Sequence, residues 1–229
     1  PGVRVLGLIL MLIVWVLALA ALMLLAYLRK LTGIRQAQPW SLTLLCVSSM
    51  ITSTAIFTLS WDEGAGWEGQ QLDRACTMSP WFFFVGQLMT FSALIARSLR
   101  FDRELGFDRE VNSHEFASSA FQAARPTVVL LTVTLSVLIV WTIVDPLVWE
   151  REDIREVPIE TYGRCYCAHL WAYVGPLFVT MFFAAALTFY FAWRISHLPG
   201  VKGYDSGAAM YASYAQIQAW SVGIPLLVV

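Results

Sequence analysis

The sequence predicts an all-α fold, a polytopic bundle of membrane-spanning helices. Of its 229 residues, 58% are hydrophobic and 14% are charged, whereas roughly 25% are charged in an ordinary soluble domain. Six stretches, the shortest of 19 residues, contain no Asp, Glu, Lys or Arg. A helix needs about 20 residues to cross a hydrocarbon core about 30 Å thick, and in lipid the backbone must satisfy its own hydrogen bonds. We therefore expect six membrane helices.

The predicted helices follow these charge-free stretches in order. They occupy about residues 5–28, 40–61, 76–97, 126–145, 168–194 and 207–229. The first is longer than the apolar core of a signal peptide, about 7–15 residues, and lacks a small-residue cleavage pattern. The fourth ends at Asp145-Pro146, because proline has no amide donor and the residue before it avoids helical geometry. The chain starts at Pro1 and stops inside the sixth apolar run, so we expect further segments on both sides.

The distribution of Lys and Arg predicts the orientation of the bundle. Five of these residues lie on one side of the predicted helices and ten on the other. The ten are Arg29, Lys30, Arg35, Arg97, Arg100, Arg103, Arg109, Arg125, Arg194 and Lys202. Because cytoplasmic loops are enriched in Lys and Arg, this set is predicted to be cytoplasmic and the N-terminus extracellular. Six helices leave the C-terminus outside, and a seventh after Val229 would return it to the cytoplasm.

The sequence argues against a catalytic, cofactor-binding or ion-transporting site within the bundle. Lys30 and Lys202 lie in predicted loops, so neither can form a retinal Schiff base within the membrane. His114 and His197 are predicted to be cytoplasmic and His169 to lie at the outer edge of the fifth helix, so none suits a haem within the membrane. The predicted helix interiors carry none of the ionisable groups that transporters use. We expect no enzymatic activity, no cofactor, no metal and no nucleic-acid partner.

The cysteines predict one disulfide. Cys46 lies within the second helix, where a free cysteine behaves as a small core residue. Cys76, Cys165 and Cys167 lie on the predicted outer side, in an oxidising compartment where disulfides persist. We expect Cys76 to pair with Cys165 or Cys167, and favour Cys165 because it lies further from the fifth helix. The alternative is a metal site with His169, although zinc usually takes four ligands, or three and a water.

Four segments carry recognisable motifs. They are "IRQAQPWSLTLLC", "CTMSPWFFFVGQLMTFSALIARSLR", "VWTIVDPL" and "DSGAAMYASYAQIQAWSVGIP". In this order they resemble the first cytoplasmic loop, the third helix, the outer end of the fourth helix and the sixth helix of class C G-protein-coupled receptors. This is the family of metabotropic glutamate and GABA-B receptors. Thr142 stands where the family usually has Gln. The resemblance covers nearly the whole chain.

The resemblance implies roles for individual residues. Arg97 and Asp205 stand where the family has a basic and an acidic residue that pair in the inactive state, an ionic lock for which Arg100 is a competing basic partner. Trp220 stands where the family has a tryptophan that lines the interhelical cavity. Pro225 removes a backbone hydrogen bond from the same helix and can act with Trp220 as a hinge.

The second cytoplasmic loop, residues 98–125, is the predicted G-protein contact. It contains the tandem "FDRELGFDRE", and Asn112 and Glu115 then resemble a helix capping box before a short interfacial helix. The loop of the family is generally more basic. The predicted contact residues, with one from the first loop, are Arg35, Arg100, Phe101 and Phe107.

The resemblance implies a transmembrane signalling domain in the plasma membrane, surrounded by lipid. It would relay ligand binding by an extracellular domain outside this chain to a heterotrimeric G protein, as a homodimer or heterodimer. Two alternatives remain open from the sequence: a six-helix channel or transporter subunit, and a heterodimer partner that does not itself couple. A binding domain upstream and one more apolar run downstream would favour the receptor.

Overall fold

The computed structural model describes residues 2–28, 39–60, 66–106, 115–156, 159–196 and 216. Its elements, in chain order, are α1 (Gly2–Leu28), α2 (Pro39–Leu59), α3 (Gly69–Gly106), α4 (Glu115–Val144), β1 (Val148–Glu156), β2 (Ile159–Tyr166) and α5 (Leu170–Ser196). All five of these helices are long and apolar enough to cross a membrane. The predicted helical membrane bundle is confirmed. The predicted sixth helix, residues 207–229, lies outside the described residues except for Gln216, which is helical.

Two helices extend beyond the predicted bounds. α3 begins at Gly69 and ends at Gly106, and α4 begins at Glu115 rather than near residue 126. Gln71 caps the start of α3. Its side-chain oxygen accepts a hydrogen bond from the backbone N–H of Glu68 at 3.2 Å, as in a capping box. The predicted interfacial helix is the first part of α4. A charge-free stretch marks only the part of a helix within lipid, so polar helix ends extend past it.

The charge cluster after Asp145 forms a two-stranded antiparallel hairpin, which the sequence analysis did not predict. Trp149 pairs with Cys165 and Glu150 with Arg164, and the register is irregular between Asp153 and Arg155. Opposite charges facing each other across two strands stabilise their pairing. We refer to the end of the bundle that carries this hairpin as the hairpin end.

The core of the bundle lies around α3. In an apolar 18-residue stretch of α3, 56% of the residues are buried, against 11% in the corresponding stretch of α1, so α3 is the central helix of the described part. Its buried side chains pack with those of α4 and α5 in one cluster that includes Phe84, Leu88, Leu138, Leu177 and Met181. Large apolar side chains of α1 and α4 are exposed, as expected of helices that face lipid.

Candidate functional site

The hairpin is attached covalently to α3. Cys76, near the start of α3, forms a disulfide with Cys165 of β2, with the two Cα atoms 5.6 Å apart. This is one of the two pairings that the sequence left open, and Cys167 keeps a free thiol. The bridge joins residues 89 positions apart. Closing a loop of that length lowers the conformational entropy of the unfolded chain, which stabilises the folded state by roughly 4–5 kcal/mol.

Hydrogen bonds reinforce this attachment. The Asp73 carboxylate accepts a hydrogen bond from the backbone N–H of Trp149 at 2.7 Å. The Thr77 hydroxyl shares its proton between the backbone carbonyl of Asp73 at 3.0 Å and that of Leu147 at 3.3 Å. A Cβ at Gly163 would lie 2.0 Å from the indole of Trp149, so this indole packs directly on the backbone of β2. β1 is therefore held against the first turns of α3 by polar contacts as well as by the disulfide.

Asp145 connects the end of α4 to the start of α5. Its backbone N–H donates to the carbonyl of Trp141 at 3.1 Å, which completes the last turn of α4. Its carboxylate accepts a hydrogen bond from the backbone N–H of His169 at 3.0 Å and lies 3.4 Å from Nδ1 of the same residue. A carboxylate is stabilising near a helix N-terminus, where backbone N–H groups lack partners. Asp145 thus caps α5 as well as ending α4.

The free thiol of Cys167 is a buried group. Burial raises the pKa of the Cys167 thiol, and of the weaker effects the contact with Trp141 lowers it and the Asp145 carboxylate raises it. A thiol with a raised pKa is a poor nucleophile and a poor metal ligand. The alternative metal site required Cys165 together with Cys167 and His169, but the sulfur of Cys165 is taken by the disulfide. Among the described residues, no group of three His, Cys, Asp or Glu could hold a metal ion.

One hydrogen bond connects α3 and α4 below the hairpin. The indole N–H of Trp81 donates to the Thr142 hydroxyl oxygen at 3.0 Å, and that hydroxyl donates to the carbonyl of Leu138 at 2.8 Å. Thr142 therefore accepts from one helix and donates to its own.

Aromatic contacts continue the interface toward α5. The Trp141 and Tyr173 rings are stacked, with centroids 5.7 Å apart and an angle of 5° between their planes. Phe84 of α3 meets Phe178 of α5 edge to face at 5.8 Å. Such pairs contribute about 0.5–1.5 kcal/mol beyond burial of their area. α3, α4 and α5 are thus linked through large rigid side chains close to the hairpin end.

α2 and α3 approach each other through small and polar residues. The Thr90 hydroxyl donates to the Ser48 hydroxyl at 2.9 Å, and both residues are buried. A Cβ at Gly86 would lie 2.3 Å from the Thr52 hydroxyl oxygen and 2.8 Å from its backbone nitrogen. Small residues let helix backbones come close in a membrane, where packing and hydrogen bonds replace the hydrophobic effect. This interface places α2 firmly beside the central helix.

The other predicted site residues are at the opposite end of the bundle or beyond the described part. Arg97 is half-buried on α3, and Arg100 and Phe101 belong to the last turns of the same helix. The remaining predicted residues, all outside the described residues, are Arg35, Phe107, Asp205, Trp220 and Pro225. The ionic lock, the cavity and the hinge stay predictions.

Several contacts of the hairpin end were not indicated by the sequence. The roles of Asp73, Trp149 and Gly163 depend on the hairpin, and a charge cluster after a membrane helix gives no sign of strand pairing. The sequence did weakly indicate the hydrogen bond between Trp81 and Thr142, since an indole N–H and a hydroxyl in membrane helices both need partners.

The chain matches the profile of the family described as "7 transmembrane sweet-taste receptor of 3 GCPR" over residues 2–229. No curated protein matches it. The family match spans all the helices and the hairpin described above. The chain therefore belongs to the family of class C G-protein-coupled receptor seven-transmembrane domains.

Proposed function

We propose that this chain is the transmembrane signalling domain of a class C receptor. It relays ligand binding by an extracellular domain to a heterotrimeric G protein on the cytoplasmic side of the plasma membrane. The observation that carries the proposal is the single helix α3, which runs without a break from the disulfide-linked hairpin to Gly106. A displacement of the hairpin acts directly on this helix, because a disulfide and two hydrogen bonds attach it there.

Membership in the family supports the partners that the proposal names. The hairpin end faces the extracellular domain, and the opposite end of α3 carries Arg100 and Phe101, which we propose contact the G protein together with Arg35 and Phe107. Receptors of this family function as homodimers or heterodimers, and we propose the same here. Trp220 and Pro225 are proposed to form the cavity and hinge of the sixth helix, which moves as the signal passes.

The resting state is proposed to be held by the pair of Arg97 and Asp205. Arg97 is half-buried, so partial loss of solvent makes an ion pair there worth more than the roughly 0–1 kcal/mol of an exposed pair. The pair would keep the inner ends of the third and sixth helices together and so close the cleft that receives the G protein.

Charge reversal in the full-length receptor tests this function. Arg97→Asp and Asp205→Arg are each expected to raise ligand-independent G-protein activation, because each leaves two like charges facing each other. The double exchange is expected to return the activity toward that of the wild type. The measurement is G-protein activation in cells, normalised to the receptor at the surface.

Arg194→Asp is the matched control, since it reverses a basic charge in the last turn of α5, outside the predicted G-protein contact. It is expected to leave the ligand-independent activity unchanged. If the double exchange gives only the sum of the two single effects, the residues are not coupled and the lock is wrong. If the wild-type receptor reaches the surface, binds its ligand and activates no G protein, it is a non-coupling dimer partner instead.

A further inference from the structure

A proline lies inside α3 at the point where the helix changes its contact partners. Pro80 is within the helix, four residues after Cys76, which carries the disulfide to the hairpin. Proline has no backbone N–H, so the carbonyl of Cys76 receives no helical hydrogen bond from position 80. Sharp bends in helices almost always have such a local cause, and a proline is a common one. The proposed signalling role makes no use of Pro80.

The part of α3 before the proline is attached to the hairpin. Asp73, Cys76 and Thr77 connect it there through two hydrogen bonds and the disulfide. These three residues lie within about one turn of helix. We refer to this part, residues 69–79, as the outer segment. Because its anchors lie so close together on both sides of the disulfide, the outer segment and the hairpin are fastened to each other.

The part of α3 after the proline is attached to the core instead. The indole of Trp81 hydrogen-bonds to Thr142 of α4 at 3.0 Å, and Phe84 meets Phe178 of α5 edge to face at 5.8 Å. Among the described residues of the outer segment, only Cys76 belongs to the buried apolar cluster that α3 forms with α4 and α5. The two sets of contacts therefore meet at Pro80.

A small cavity lies beside the proline. Its volume is about 10 Å³, close to the space that one water molecule needs. Thr77, Pro80 and Trp81 line it from α3, and Trp141 and Leu147 are among the residues opposite. Protein interiors are otherwise packed closely, with few voids of this size. The packing is thus incomplete where the contacts change partners, so a change in helix angle there meets less resistance.

We propose that α3 bends at Pro80 and that the outer segment and the hairpin move together as one body relative to the core. The outer segment is about 15 Å long, so a change of about 20° at the proline displaces its start by about 5 Å. The bend gives a displaced hairpin a route into the core through Trp81 and its partner Thr142. That use rests on the proposed signalling function, whereas the bend itself does not depend on coupling to a G protein.

Distances between pairs of spin labels on the purified full chain test the bend. Cys46→Ser and Cys167→Ser first remove the two free thiols. One pair, Arg151→Cys with Val133→Cys, joins the hairpin to α4, and the other, Gln70→Cys with Arg151→Cys, joins the hairpin to the outer segment; all three positions are exposed. The first pair is expected to give a distance distribution about 5 Å wider than that of the second. The thermal midpoint of each labelled chain shows that it is folded.

Pro80→Ala restores a backbone N–H for the Cys76 carbonyl and favours a straight helix. It is expected to narrow the distribution between the hairpin and α4 to the width of the other pair, which stays unchanged. Pro80→Leu, which keeps a branched apolar side chain at this position, is expected to do the same. Pro176→Ala removes a proline from inside α5 and is the matched control, expected to change neither distribution.

Three results would each overturn the proposal. The first is a distribution between the hairpin and α4 that stays as wide in Pro80→Ala and Pro80→Leu as in the unchanged chain. The second is an equal narrowing in Pro176→Ala, because the effect would then not belong to α3. The third is a wide distribution between the hairpin and the outer segment, because the two would then move separately. None of these measurements involves a G protein, so their failure is distinct from a failure of the signalling function.

Discussion

The hydrogen bond from Trp81 to Thr142 shows how a single hydroxyl determines the packing of two membrane helices. The hydroxyl accepts from the indole at 3.0 Å and donates to the Leu138 carbonyl at 2.8 Å. Valine has nearly the same shape but no hydroxyl, so Thr142→Val leaves the half-buried indole N–H without its acceptor. We expect this change to destabilise the bundle by on the order of 1 kcal/mol. The measurement is the thermal midpoint of the chain in detergent.

Thr132→Val provides the control for that measurement. Thr132 lies on the same helix, but it is exposed and its hydroxyl donates only to the carbonyl of Val128 in its own helix. The control is expected to change the midpoint little. Trp81→Phe removes the other partner, and combining it with Thr142→Val should add almost no further loss. Equal effects of the two valine substitutions would show that the interhelical bond contributes nothing.

At the level of single residues, the sequence favoured Cys165 over Cys167 as the partner of Cys76 only because Cys165 lies further from the fifth helix, and the structure has the pair Cys76–Cys165. Both were predicted to lie on the same side of the membrane as Cys76. The pairing depends on the hairpin, in which Cys165 lies opposite Trp149, the residue that hydrogen-bonds to Asp73 of α3. Cys167 lies past the end of β2 and is buried. Residue type alone identified three cysteines that could form the disulfide, but the register of the two strands determines which two of them meet.

At the scale of the helices, α2 and α3 approach each other closely at Gly86. A methyl group there would meet the Thr52 hydroxyl oxygen at 2.3 Å and its backbone nitrogen at 2.8 Å. Because backbone atoms cannot move aside cheaply, Gly86→Ala is expected to push the helices apart and to cost about 1–3 kcal/mol. A lower thermal midpoint of the purified chain measures this loss.

Gly175 offers the matched comparison for Gly86. It lies in α5, and a Cβ at this position meets nothing within 4 Å. Gly175→Ala is expected to leave stability unchanged or to raise it slightly, because alanine favours the helix over glycine by about 1 kcal/mol. A loss at Gly175 as large as that at Gly86 would contradict close helix packing as the cause.

The helices were predictable from the sequence as elements, but their ends and the hairpin were not. A long gap between charges marks where a chain crosses lipid, which is why α1, α2 and α5 start and end near the predicted residues. α3 and α4 extend into polar sequence, where a gap between charged residues can no longer show whether the chain is helical. β1 contains charged residues among Trp149 and Ile154, a pattern that is also typical of a loop. Only its pairing with β2 and its attachment to α3 distinguish β1 from a loop.

For the whole molecule, the order of the motifs identified the family although no single motif was decisive. The family match over residues 2–229 spans the four segments that carried the resemblance. Much of the predicted signalling machinery, including Asp205, Trp220 and Pro225, lies outside the described residues. The part of the site that the structure adds is at the hairpin end, where contacts join distant segments.

The orientation of the whole bundle is the remaining prediction at this scale. Ten Lys and Arg residues on the opposite side, against five on the side of the hairpin, predict that the hairpin end lies outside the cell. The disulfide between Cys76 and Cys165 belongs to the same end, and disulfides persist in oxidising compartments. We therefore expect an epitope at the N-terminus, or one inserted between β1 and β2, to bind antibody on intact cells.

An epitope inserted near Glu110, between α3 and α4, is expected to bind antibody only after the cells are permeabilised. Fluorescence of cells carrying each tagged receptor, measured before and after permeabilisation, distinguishes the two sides. Total expression of each tagged chain is the control, since an unfolded chain would not reach the surface. Antibody binding at Glu110 on intact cells would show that the bundle has the opposite orientation in the membrane. Arg97, Arg100 and Arg103 would then lie on the side away from the cytoplasm, and G-protein contact at Arg100 and Phe101 would be excluded.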